Sequence, residues 1–232
     1  MQSYQQKTSD SKSTPVDSQS TPINFSRSLY PVDTPSMKPS NTRENLIAAG
    51  LDLFYQHGFH ALGLDRILHE VGTTKTTFYK YFESKEALAL ACIERRDGSW
   101  RKQLPELLQE RAGDDPIEQL REIWALWRDW FDNIAFNGCL FIHACSEFPD
   151  PNDPCHQAAW KNVDGLRSIV HNLAIRAGLN TPEIFAQEFG LLMQGAIIME
   201  VIDRQNTAAN TAGRIGNMLI EKYQNHNQQI VN

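Results

Sequence analysis

Residues 42–88 read TRENLIAAGLDLFYQHGFHALGLDRILHEVGTTKTTFYKYFESKEAL, and the recurrence of apolar letters within them decides the fold. Ile47, Gly50, Leu51 and Phe54 stand at i, i+3, i+4 and i+7, and Leu46 and Leu53 widen the same face, the period of an amphipathic helix. Asn41 or Thr42 offers an N-cap oxygen and Gly58 a left-handed stop, so a first helix is predicted over 43–57. A second, short helix is predicted over 64–71, with Ile67, Leu68 and Val71 inward and Gly72 as its end. Thr74 then caps a third helix of about two turns, 75–81, and Ser84 a fourth and much longer one. Two short helices joined by a glycine-containing turn and braced by a preceding helix make a helix-turn-helix.

An α-helix of this kind fits the major groove and reads base edges with its outward and N-terminal side chains. Phe78 and Phe82, four apart, are the inward anchors. Lys75, Thr76 and Lys80 are therefore expected at bases or the groove floor, and Thr77, Tyr79 and Tyr81 at phosphate oxygens, which fix register without reading sequence. Thr74, at the cap, joins this set. Thr42 and Arg43 at the start of the first helix and Lys85 at the start of the fourth are expected to clamp the backbone on either side.

Over 42–88 the run Ile47–Phe59, then Ile67, Val71 to Phe82 and Ser84 to Leu88, resembles the TetR family of regulators. The match is long, ordered and more specific than a generic helix-turn-helix. It implies an all-α chain: a three-helix DNA-binding domain, an effector domain enclosing a small molecule, and two last helices forming a four-helix dimer interface. The DNA-facing residues above coincide with family positions. One departure is Leu62-Gly63, where the family usually carries a hydroxyl pair that touches phosphate.

The remainder reads as helices in the order such a domain requires. Gly113-Asp114-Asp115-Pro116 breaks the chain, and Ile117, Leu120, Trp124, Trp127, Phe131 and Ile134 then recur at helical spacing. That aromatic stripe reads as core or as the lining of a ligand cavity, with Trp124, Trp127 and Phe131 as pocket candidates and Phe189 and Met193 placed beside them. In 139–148, Phe141, Ala144, Cys145 and Phe148 form one face, while Cys139, His143 and Glu147 stack at i+4 steps on the other. The latter three suit a polar pocket lining, a partly wet face or a metal site; with no matched fourth ligand, no metal or cofactor is expected. The run 138–149 also resembles a segment of TetR/AcrR effector domains.

Two further helices follow the turn-rich 149–154 and the stop at Gly178. The second, opened by Thr181-Pro182-Glu183, carries Phe185, Phe189, Leu192, Ala196 and Met199 on one side and Leu191, Gly195, Ile198 and Ile202 on another. A helix apolar on two sides needs two neighbours, the domain's own core and a twin chain. Phe185, Leu192, Gly195, Ala196 and Met199, with Ile215 and Leu219 of the last helix, are the expected dimer contacts.

Lys and Arg total 22 against 28 Asp and Glu, a net charge of -6, so composition does not point to nucleic acid and DNA affinity must rest on local placement of cations. Residues 1–40, rich in Ser, Thr, Pro and Gln, are expected to be a solvated tail, with Arg27 and Lys38 as an alternative DNA-contacting arm. The predicted division is 1–40 tail, 41–86 DNA-binding domain, 87–226 effector and dimerisation domain, and 227–232 disordered end. Cys92, Cys139, Cys145 and Cys155 form no C-x-x-C pair and no signal region is seen, so a reduced, soluble, cytoplasmic protein is expected. No apolar run approaches the roughly 20 residues of a membrane span. The expected function is a dimeric regulator, a repressor released from a palindromic operator by a small-molecule effector. The alternatives are a thiol or redox sensor using Cys139 or Cys145, and an enzyme, for which no nucleophile elbow, phosphate loop or metal motif is found.

Overall fold

A computed structural model describes residues 41–225. The expectations for 1–40, Arg27 and Lys38 included, and for 227–232 lie outside the described residues. Among those described the fold is all-α: α1 Thr42–His57, α2 Leu64–Val71, α3 Lys75–Phe78, α4 Lys85–Ala112, α5 Pro116–Phe131, α6 Leu140–Glu147, α7 Pro154–Arg176, α8 Pro182–Asp203 and α9 Ala208–Asn225.

The helix ends follow local chemistry. Thr74 Oγ1 accepts the Thr77 N–H, Ser84 Oγ the Ala87 N–H, and Asp115 the N–H groups of Ile117 and Glu118, so orphan donors at three N-termini are satisfied. Two expectations fail here. Asn41 occupies the N-cap of α1 without a side-chain cap bond, and Thr181, in the left-handed region at φ 44°, makes none for α8. α5 ends at Phe131, three residues short of Ile134, which lies fully exposed and leaves the apolar stripe.

Two clusters of buried side chains hold the chain together. The N-terminal one joins Leu46, Phe54, Ile67, Phe78 and Leu88 to Phe141, Ala144 and Phe148 of the α6 region, so α6 packs on the DNA-binding half. Gly50 allows α1 and α4 to meet closely, since a Cβ there would stand 3.0 Å from Cys92 Sγ. The second cluster is built on α5, where Trp124, Trp127, Trp130 and Phe131 interdigitate with Trp100, Phe185 and Phe189. Gly213 and Gly216 let α9 lie directly on the Trp124 indole; a Cβ on Gly216 would come 2.8 Å from Cε2.

α8 departs from expectation in composition. It is long and apolar enough to cross a membrane by length and composition alone. Phe185, Phe189, Met193 and Ile197 on one side of it are buried in the core, while Leu191, Ile198, Met199 and Ile202 on the other are exposed.

Candidate functional site

The face α3 presents follows from its two anchors. Phe78 is fully buried and Phe82 5% exposed, and their rings sit 5.7 Å apart beneath the helix. Lys75, Thr76, Tyr79, Lys80 and Tyr81 are consequently exposed, Tyr79 by 55% and Tyr81 by 45%. Thr77 is half-buried, its hydroxyl 3.1 Å from that of Thr74 in the cap. α3 proper ends at Phe78, before the expected Tyr81, and a tighter turn carries on, with Tyr81 N–H donating to Phe78 O at 2.9 Å. Lys75 pairs with Asp65 of α2 at 2.8 Å, and that carboxylate raises the pKa of the ammonium. Arg43 lies over the Phe82 ring, 5.4 Å from its centroid, and Thr42 opens α1 beside it.

Lys85 is held in a way that spacing alone does not reveal. Its ammonium donates to the carbonyls of Phe59 at 2.8 Å, Leu62 at 3.0 Å and His60 at 3.4 Å, which occupies all three of its donors. The same turn is gripped from the other side by Glu147, whose carboxylate accepts the N–H of Phe59 at 3.0 Å and of His60 at 2.7 Å. Burial alone would raise the Glu147 pKa; the His60 and Phe59 donors outweigh it and hold the carboxyl below its ordinary range. The 59–62 turn is thus clamped at its carbonyls by α4 and at its amides by α6.

Glu147 therefore points to the DNA-binding half. Of the expected stack of Cys139, His143 and Glu147, Cys139 is the N-cap of α6 with its carbonyl accepting the His143 N–H at 3.0 Å, His143 packs at Gly138, and Glu147 is taken by the 59–60 amides. Burial lowers the His143 pKa, which Glu147 only partly offsets. Among the described residues no three His, Cys, Asp or Glu side chains gather as a metal site. Cys145 is half-buried and packs against the N-terminal cluster that holds Phe141, Ala144 and Phe148.

The remaining pocket candidates are mostly core. Trp124, Phe131, Phe189 and Met193 are buried side chains of the second core cluster, with Trp124 and Phe189 4.9 Å apart between ring centroids and Phe131 against Trp130 and Phe136. Trp127 and Cys139 border a void of about 30 Å³, room for a water but not for a ligand. A cavity of about 260 Å³ lies elsewhere, between α1 and the start of the effector half, with Tyr55, Trp130 and Phe136 among its walls. Sequence reasoning missed it because one wall belongs to the non-helical 133–138, which no periodicity marks. Tyr55 at that wall accepts the Asn137 N–H at 2.8 Å and donates to Gly138 O at 3.0 Å, and burial pushes its pKa up to about 12.

The expected dimer residues divide. Phe185 and Ala196 belong to the protomer's own core, at 0% and 5% exposure, and Leu192 and Leu219 are half-buried against it. Gly195, Met199 and Ile215 are exposed, as are Leu191, Ile198 and Ile202 of α8 and Met218 of α9. The second stripe of α8 is thus the outward one, joined by Met199 of the first, since α7 and α9 pack on the rest of the first.

Comparison with known proteins agrees with the helix-turn-helix and the all-α fold. Residues 46–92 match the family model for bacterial regulatory proteins of the tetR family, and residues 116–215 the tetracyclin repressor-like C-terminal domain. The HTH-type transcriptional repressor NemR of Escherichia coli K12 is 31% identical over 130 residues, 56% of this chain and 65% of that protein, so the chain spans less than two thirds of it. The HTH-type transcriptional regulator YjdC of the same strain is 25% identical over 176 residues, 75% of this chain and 90% of YjdC. The reduced form of E. coli NemR superposes with a TM-score of 0.69 at 26% identity, covering 78% of this chain and 98% of NemR. SCO4454, a TetR-family regulator of Streptomyces coelicolor, shares the fold at a TM-score of 0.74 and 24% identity, over 79% and 96% of the two chains. From its N-terminal helix-turn-helix to its C-terminal helical domain, the chain belongs to the tetR family of bacterial regulatory proteins.

Proposed function

We propose that the chain is a cytoplasmic, homodimeric transcriptional repressor that binds a palindromic operator in double-stranded DNA and is released by a small-molecule effector. The observation that carries the reading is the exposed face of α3: Lys75, Thr76, Tyr79, Lys80 and Tyr81 outward while Phe78 and Phe82 are sunk in the core. Lys75, Thr76 and Lys80 read bases; Thr42, Arg43, Thr74, Thr77, Tyr79 and Tyr81 hold the backbone. Lys85 serves the site chiefly as a brace, its three bonds fixing the turn that leads into α2. The apolar surface of Leu191, Ile198, Met199, Ile202, Ile215 and Met218 is the seat of the second copy, and it sets two α3 helices roughly 34 Å apart.

Selection of bound duplexes from random DNA tests this. A palindrome with half-sites one turn apart is the expected product, and Lys75→Ala relaxes its sequence preference while Tyr79→Ala weakens all sequences alike. Recovery of no preferred sequence refutes it.

A thiol-responsive regulator is the second reading, prompted by a relative solved in its reduced form. Burial raises the pKa of Cys92, Cys139, Cys145 and Cys155, with Cys155 pushed up to about 12, which keeps these thiols protonated and slow to react near neutral pH. An oxidant response that survives Cys139→Ser with Cys145→Ser removes this reading. Both relatives named above are regulators, and an enzymatic reading has no support in the geometry.

A further inference from the structure

We infer that the cavity between α1 and residues 133–138 is the effector site, that it takes a small uncharged aromatic molecule bearing a hydrogen-bonding group, and that occupancy there shifts α1 and so weakens DNA binding. This rests on the reading of the chain as an effector-released regulator.

The chemistry of the ligand follows from the walls. Tyr55, Trp130 and Phe136 supply aromatic faces and edges, which favour a planar ring in offset or edge-on contact. About 260 Å³ is slightly under the range for drug-sized ligands, which points to a fused bicycle or smaller. Also lining it, Arg96 of α4 and Asp52 of α1 sit near enough to act on one another: burial raises the Asp52 pKa, Arg96 lowers it by less and Glu70 raises it least. A permanent anion would face Asp52 with Glu70 behind it, and a permanent cation would face Arg96. A neutral group that both donates and accepts suits this pair and the amides of Gln56 and Asn133 beside it.

Position supplies the regulation. Tyr55 of α1 is clipped to the effector half by its hydroxyl, bonded to Asn137 N–H and Gly138 O, and by its carbonyl, which accepts Asn137 Nδ2 at 2.8 Å. A ring wedged between Tyr55 and Phe136 presses on that clip, and α1 carries α2 and α3 through the shared core of Leu46, Phe54, Ile67 and Phe78. Ligand and operator then favour different placements of α1, and each lowers affinity for the other by the same factor.

The probe is 2-naphthol, titrated calorimetrically into the full chain, with 2-naphthoate and 2-(aminomethyl)naphthalene as charged counterparts. Two variants fill the cavity from opposite walls: Ala135→Trp, at an exposed position whose backbone bond to Asn133 Oδ1 is kept, and Gln56→Trp, at an exposed position on α1. The expected result is binding of naphthol to the wild type, weaker binding of both charged analogues, and a loss of at least about tenfold in each variant at unchanged helicity and melting temperature. Naphthol is also expected to lower the affinity of the wild type, but not of Ala135→Trp, for a duplex recovered by selection. No binding to the wild type, equal binding to the variants, or preference for a charged analogue overturns the site. Binding at the cavity with unchanged DNA affinity overturns its regulatory role. Failure to recover any duplex refutes the regulator reading instead, and leaves the calorimetry readable.

Discussion

Replacing Glu147 by Ala removes the one carboxylate that joins α6 to the turn ahead of α2, and the cost can be worked from its contacts. Two backbone donors lose an ionised acceptor, Phe59 N at 3.0 Å and His60 N at 2.7 Å. Hydrogen bonds to a charged partner contribute about 1.5–3 kcal/mol each when sheltered. The Glu147 side chain is 26% exposed and His60 is at the surface, so water recovers part of this, and a net loss of about 2 kcal/mol is expected. For a chain of this size that corresponds to a fall in melting temperature of about 4–8 °C. Glu147→Gln keeps one acceptor oxygen and loses the charge, and should fall between the two. pH supplies an independent check. The folded-state pKa of Glu147 lies below its unfolded value, so its contribution is fully present above the unfolded pKa, about 4.3, and is lost as pH falls through the lower folded value. The gap between wild type and Glu147→Gln should therefore be constant near neutrality and close under acid conditions. Melting curves at one protein concentration, from pH 7 down, test this, since a self-associating chain melts at a concentration-dependent temperature. A Glu147→Ala protein melting within about 1 °C of wild type at pH 7 refutes the reasoning, as does a gap that widens in acid.

The other predictions concern different joints. Lys85→Met should lower the melting temperature by removing three carbonyl contacts of the 59–62 turn, and the reading of Lys85 as a brace fails if only the salt slope of DNA binding changes. Asp65→Asn frees Lys75 from its ion pair and removes a carboxylate from the DNA-facing side, so affinity should rise for all duplexes in a fluorescence anisotropy titration. Gly216→Ala drives a methyl group into the Trp124 ring and should destabilise by about 1–3 kcal/mol in urea, with Gly213→Ala, at 3.3 Å from Trp124 Cβ, the milder control. Ile202→Glu on the exposed stripe of α8 should give a monomer by light scattering with its helicity intact, and a persistent dimer moves the interface elsewhere.

What could be read in advance depended on how far apart the partners lie. Phe78 and Phe82 are four residues apart, so their common side, and with it the exposure of Lys75, Thr76 and Lys80, follows from the helical period alone. Both stripes of α8 were legible for the same reason, but which one faced outward was not: Phe185 is buried because Tyr223 of α9 closes over it, 5.5 Å between rings, and nothing within α8 states this. Glu147 shows the limit most plainly. Its spacing from His143 predicts a shared helical face, and α6 does form, yet its bonding partners Phe59 and His60 lie 88 and 87 residues away on the other half of the molecule. Tyr55 and Asn137, 82 residues apart, form the second such tie. Periodicity reports which side of an element is apolar and is silent on which polar group meets which across a domain boundary. On the proposed reading, in which the two halves answer one another, those crossings are the ties through which the coupling would run. If the chain answers an effector as proposed, the residues that would convert a bound ligand into an altered grip on DNA are therefore the ones a helical pattern leaves unmarked, even where the exposed face of α3 is plain.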